Sequence, residues 1–307
     1  MTSCWRCFAP VSPYAAVALA LMAWWLSLPN IRDTQAQLLL AESPITQETI
    51  ALDASENDEV ALTVTLVPAP NFASITLSDA RKQSFVASLL PLISQENAMI
   101  ATQRKEAVRL YALWQKGKLS LDQKEWLVDI ATNYEVEIER KGFALNFWQN
   151  LLHRLDGVPP SLVLTQAAIE TGWGTSRLAK DANNFFGIMC FKEGCGVKSV
   201  GSSGEFRRFD NAQASVAAYM RILNTKGAYR AARMERMRNR LLGEVPSGLA
   251  LAKTLLSYSE LGQRYVSFLI KIMHENQLED YDGADAPLSV EVTAVPDATS
   301  LTQTKVK

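Results

Sequence analysis

Residues 158–191 read VPPSLVLTQAAIETGWGTSRLAKDANNFFGIMCF, and the fold is decided there. Pro159 and Pro160 suit the turn into a helix and its first position, and Leu162, Val163, Ala167 and Ile169 follow at helical spacing. Glu170 falls in the last turn of that helix. Gly172 and Gly174 come at once, and a helix interior tolerates two glycines poorly, so the backbone is expected to turn and leave Glu170 at the rim of a cavity. Trp173 lies between the glycines. Burial beside an indole disfavours the charged form of a carboxyl group, which is what a general acid working near neutral pH needs. The competing reading is a surface glutamate at a helix C-terminus, where the dipole disfavours negative charge.

Working outward, the run A-A-I-E-T-G-W-G-T-S-R-L-A followed by N-N-F-F-G-I resembles the glucosaminidase family of peptidoglycan hydrolases, and within it the Bax-type proteins of Gram-negative bacteria. The resemblance covers roughly Phe143 to Leu278, with Thr171 standing where the family usually has Ser. It implies an α+β, mostly α fold, a lysozyme-like helical domain with a small β-hairpin lobe, here preceded by extra N-terminal helices. It also implies cleavage of β-1,4 glycosidic bonds at N-acetylglucosamine, with Glu170 as the acid that protonates the leaving oxygen. The family's second glutamate sits on a hairpin ahead of a Phe-Arg-x-aromatic element, which here reads Phe206-Arg207-Arg208-Phe209. Both Glu193 and Glu205 are candidates, and the substrate's own N-acetyl group is a third. Tyr258 and Tyr265 resemble the ends of the family's Y-A-T-D-x-x-Y stretch, with one extra residue between them. Trp173, Asn184 and Phe185 would line the sugar subsites, the rings by stacking and the amide by pairing with acetamido groups. A non-catalytic cell-wall glycan-binding module, a lytic transglycosylase and an amidase are the competing functions.

The 307 residues include 31 basic and 32 acidic side chains, so no basic field points to nucleic acid. Near the N-terminus, Val11 to Leu28 carries no charge, has Trp24 and Trp25 near its outer end, and is ended by Pro29, Asn30 and Arg32. We read residues 1–29 as a membrane anchor or signal segment, with residues 11–28 crossing the inner membrane and Arg6 on the inner side. A cleavable signal ending near Thr34-Gln35-Ala36 and a buried soluble helix are the other readings. Either an anchor or a signal puts the remainder in the periplasm of a Gram-negative cell.

Four cysteines divide accordingly. Cys4 and Cys7 precede the apolar run and have no further ligands nearby for zinc. Cys190 and Cys195 flank Phe191-Lys192-Glu193-Gly194, and a local disulfide is expected, with a free pair as the alternative. His153 and His274 lack partners at metal-ligand spacing, so no metal or organic cofactor is expected.

Residues 30–76 are acidic, poor in aromatics and punctuated by proline, and read as a disordered tether with a conceivable strand at Val60 to Val67. Residues 77–140 read as helices, one from Ser78 to about Met99 and a second from Glu96 or Thr102 to Gln115, ended by Lys116-Gly117-Lys118. Ser120 and Gln123 have capping-box spacing ahead of a third. The catalytic domain spans 141–282. In it a helix with Phe147 and Trp148 comes first, Val197 to Val200 and Glu205 to Phe209 form a hairpin, and Asp210-Asn211 starts another helix. Arg230 to Arg240 reads as a solvated helix face, with contact to anionic glycan or lipid headgroups as the alternative. Ser247 to Leu256 and Gln263 to Glu275 are the last helices, and residues 283–307 read as a disordered tail.

Overall fold

The computed structural model describes residues 69–140, 142–198, 204–256 and 262–283. The apolar run at residues 11–28, the conceivable strand at 60–67, Tyr258 and the tail beyond residue 283 lie outside the described residues. Among the described residues no helix is long and apolar enough to cross a membrane.

The architecture is mostly helical, with one small sheet, as expected. Helices α1 (Ser78–Gln115), α2 (Leu121–Asn133), α3 (Leu145–Arg154), α4 (Pro160–Thr171) and α5 (Arg177–Ala182) lead into strands β1 (Met189–Cys190), β2 (Gly196–Lys198) and β3 (Glu205–Arg207). Helices α6 (Ala212–Thr225), α7 (Arg230–Leu241), α8 (Gly248–Ala252) and α9 (Gln263–Glu275) follow. The sheet has the order β1-β3-β2 with both pairings antiparallel, so the expected hairpin β2–β3 gains β1 on its other side. The Ser120–Gln123 capping box forms in both directions at the start of α2, and Asn211 caps α6 by accepting from Ala214 N.

Helix α4 is the centre of the packing. It is buried round most of its circumference, Ser161, Thr165 and Gln166 as fully as Leu162, Val163, Leu164 and Ala167, and it meets α1, α5, α8, α9 and the short 3-10 turn Leu278–Tyr281. Its N-terminus is held by Asp282, whose carboxylate accepts from Ser161 N at 2.9 Å, Ser161 Oγ at 2.7 Å and, at the start of α8, Gly248 N at 2.7 Å. One side chain thus satisfies orphan donors of two helices.

Three features differ from the sequence reading. The expected pair of helices between Ser78 and Gln115 is one helix of 38 residues with Pro91 inside it. No Gly or Pro separates Ser94 from Gln115, so nothing in the chain enforces a stop, and its near end packs on α4 while its far end carries Tyr111 and Trp114 against Trp148. The stretch read as tether is folded at its end: Phe72 is 2% exposed and meets Phe85 of α1 edge-on at 5.5 Å.

The arginine-rich helix is the other correction. Arg233 and Arg236 of α7 are 7% and 2% exposed, and they point inward because each finds carbonyls that no helix bond uses. Arg233 donates to Leu223 O and Lys226 O at the C-terminus of α6, and Arg236 donates to Asp156 O, Gly157 O and Asn224 Oδ1. Arg104 and Arg154 repeat the pattern at the ends of α3 and α2. A guanidinium at a helix C-terminus meets both unpaired carbonyls and the negative end of the dipole. Asp156 is bonded by Arg240, and although burial alone would push its carboxyl up, that bond and the charges of Arg236, Arg104 and Arg240 together hold it below the usual range.

Candidate active site

Helix α4 ends in three successive left-handed residues, Gly172, Trp173 and Gly174, with φ of 56°, 58° and 78°. Trp173 is held in this conformation, rare for a non-glycine, by hydrogen bonds around it. Its N–H and the cap reach back to Ala168 O, and the Thr171 hydroxyl donates to Ala167 O and accepts from Gly174 N at 2.9 Å. Threonine therefore does the work expected of the hydroxyl at this position. The turn rests on the N-terminal segment: a Cβ on Gly174 would stand 2.2 Å from Phe72 Cδ2. Trp173 meets Phe85 edge-on at 5.6 Å, and Lys82 Nζ lies 5.4 Å from its ring centre.

Glu170, half-buried in the last turn of α4, is closed on one side by Gly187. A Cβ added to Gly187 would stand 3.1 Å from Glu170 Oε2. The acid of the first motif segment and the glycine of the second thus meet. On the same face of α4, one turn earlier, Gln166 Nε2 donates to the Tyr265 hydroxyl at 3.0 Å. Tyr229, in the 3-10 turn Gly227–Tyr229, completes the group, and sequence reasoning missed it. Burial first, then the neighbouring Tyr265 and Glu170, push its phenol well above the ordinary range, so it is a neutral hydroxyl at any working pH. Nothing in the chain around Lys226-Gly-Ala-Tyr229 signals this, because the tyrosine arrives by the α6–α7 connection.

Asn184 and Phe185 are placed differently from the subsite lining expected of them. Asn184 is fully buried, its Nδ2 donating to Ile188 O and Arg207 O at 2.8 Å each and its Oδ1 accepting from Ile188 N at 3.0 Å. Its amide is committed to folding the loop and tying it to β3. Phe185 is 1% exposed, packed with Phe72 and Phe85 beneath the turn. Phe186 stacks on Tyr219 of α6 at 4.1 Å. The N-N-F-F-G segment is thus a fastening, and its contribution to the site is Gly187.

Of the two further glutamates, Glu205 lies on β3 and its Oε2 accepts from Gly196 N of β2 at 2.9 Å. Glu193 is exposed in the loop from Phe191 to Gly194, which a disulfide between Cys190 and Cys195 closes at its base. Among the described residues, Cys190, Cys195 and Glu205 are the acids and sulfurs gathered closely enough for a metal ion, but sulfurs joined to each other are not thiolate ligands. Of the other expected site residues, Tyr265 bonds Gln166, one turn before Glu170 on α4, and Tyr258 lies outside the described residues.

Comparison with known proteins agrees with this arrangement. The family model described as mannosyl-glycoprotein endo-beta-N-acetylglucosaminidase matches residues 147–278. The chain is 33% identical to Protein bax of Escherichia coli (strain K12) over 208 residues, 68% of this chain and 74% of that protein. It is 35% identical over 95 residues to the peptidoglycan hydrolase FlgJ of Vibrio parahaemolyticus, covering 26% of this chain and 31% of that one. No solved structure matches the chain. The likeness to Bax runs over more residues than the family model spans, in keeping with an N-terminal segment that packs under the motif. The matched model, the extent of that likeness and the meeting of Glu170 with Gly187 lead to one conclusion: the chain belongs to the glucosaminidase family.

Proposed function

We propose that this protein is a peptidoglycan hydrolase that cleaves the β-1,4 glycosidic bond at N-acetylglucosamine, with Glu170 as general acid. The observation that carries the reading is the position of the Glu170 carboxylate, at the end of a buried helix, against Gly187 and near the neutral hydroxyl of Tyr229, with Tyr265 bonded to Gln166 one turn back. Tyr229, kept neutral by burial, adds no charge beside the half-buried carboxyl whose proton the reaction needs. Glu170 delivers its proton to the bridging oxygen as that bond breaks and positive charge develops at the anomeric carbon. For the second role we assign Glu193, because its exposed, disulfide-closed loop leaves the carboxylate able to approach a sugar, whereas the Glu205 carboxylate holds β2 to β3. Tyr258 keeps the role its resemblance implies, a hydroxyl for the N-acetyl group. A disulfide and a glycan substrate both suit the periplasm, where we locate the enzyme.

The test is digestion of purified sacculi by the full chain, followed by mass spectrometry of the released fragments. Reducing N-acetylglucosamine ends are expected. Anhydro ends would mean a transglycosylase, free stem peptides an amidase, and binding without products a glycan-binding module. Glu170→Gln keeps the shape and removes the proton, so it should lower turnover by at least about 100-fold while the fold and sacculus binding persist.

A further inference from the structure

Phe191 is 89% exposed, more than any other large apolar side chain among the described residues, where Leu77 and Leu121 follow at 70%. Single exposed apolar residues are ordinary, but the loop that carries this one is tied down. Cys190 lies in β1, paired opposite Glu205, and Cys195 directly precedes β2, so the loop carrying Phe191 is tied to the sheet at both ends and closed by the disulfide. The ring lies near the chain just before β3: a Cβ on Gly204 would stand 3.8 Å from Phe191 Cε1 and 2.6 Å from the Cε of Met189. Met189, two residues earlier, is itself 37% exposed. An aromatic ring on a disulfide-closed loop, with an apolar neighbour close by and most of its surface open to water, is a stacking platform.

Its distance from the acid is bounded by the chain. Gly187 packs on the Glu170 carboxylate, and four residues of extended backbone reach at most about 14 Å, which brings Phe191 within a few sugar units of the scissile bond. We infer that Phe191, on the disulfide-closed loop beside the sheet, is a further glycan-binding residue that stacks on the C–H face of a pyranose outside the cleavage point. This rests on the glycan substrate proposed above. The chemistry fits a polymer of amino sugars, whose rings present alternating apolar faces along the strand.

The experiment compares sedimentation of the full chain with purified sacculi in the Glu170→Gln background, with and without Phe191→Ala, together with binding of a soluble hexamer of N-acetylglucosamine. Loss of affinity by about fivefold to tenfold in both assays, restored by Phe191→Trp, is expected. In the otherwise native enzyme Phe191→Ala should raise KM more than it lowers kcat. Unchanged binding to sacculi and hexamer would overturn the inference, as would a loss confined to vesicles of anionic phospholipid. Because the side chain is so exposed, the variant keeps its fold. A native chain that binds glycan but releases no fragments would defeat the proposed activity and leave this comparison readable.

Discussion

Glu170 Oε2 lies 3.1 Å from the place a Cβ on Gly187 would take, so the acid of one motif segment is walled by the backbone of the other. Gly187→Ala therefore tests the site without touching the acid. The added methyl pushes the carboxylate by a few tenths of an ångström, and φ of 63° costs alanine about 1–2 kcal/mol. Turnover should fall about tenfold or more, with only a modest drop in melting temperature, since small misplacements of a reacting group are expensive. Parallel measurement of rate and thermal midpoint separates the two effects.

Phe72 and Gly174 give a second prediction. Phe72→Ala removes a fully buried ring and should cost about 3–5 kcal/mol. Gly174→Ala forces a methyl into that ring and should destabilise comparably. The double variant should be less destabilised than the sum, because the missing ring leaves room for the methyl. Urea midpoints of the four proteins check this, and strict additivity would mean the two residues do not share that space.

Arg236 and Asp156 make the third. Arg236→Met takes the guanidinium from Gly157 O, Asn224 Oδ1 and Asp156 O, the last keeping its bond from Asn224 Nδ2, and should cost about 3 kcal/mol. Asp156 is held below its ordinary range in the folded chain, so its contribution is fully present above about pH 4 and is lost as pH falls through the depressed folded value. Arg240→Met brings the folded value back up toward the unfolded one. Melting temperature followed from pH 7 to pH 2 should then fall less steeply at the acid end than in the native chain, from a lower starting point.

The Cys190–Cys195 link gives the fourth. Joining residues five apart removes little chain freedom, and replacing both by alanine should cost about 2 kcal/mol by the loop-entropy relation. Denaturant midpoints with and without reductant check the value.

Local signals carried far in this chain. The glycine pair after Glu170 stops α4 as read, the Ser120–Gln123 box forms, and the Gln263–Glu275 helix has the expected ends. Partnerships distant in sequence did not show. Arg233 and Arg236 look like a solvated face until α6 and the turn at Asp156 bring their unpaired carbonyls alongside. Asn184 and Phe185 carry residue types that bind sugars, and only the packed structure reveals that the amide folds its own loop and the ring lies beneath the turn. Phe72 sits in a composition that argues against folding, yet one large ring with a glycine to rest on is enough to order its neighbours. Tyr229 had no local signature at all.

Because Phe72 and Phe85 form the floor beneath the Gly172–Gly174 turn, the matched region is not a portable cassette. A fragment starting at Phe147 would lack the floor under the turn that follows its acid and would expose Phe185 and one side of Trp173 to water. Any recombinant or evolutionary exchange of this hydrolase lobe has to carry the long leading helix with it.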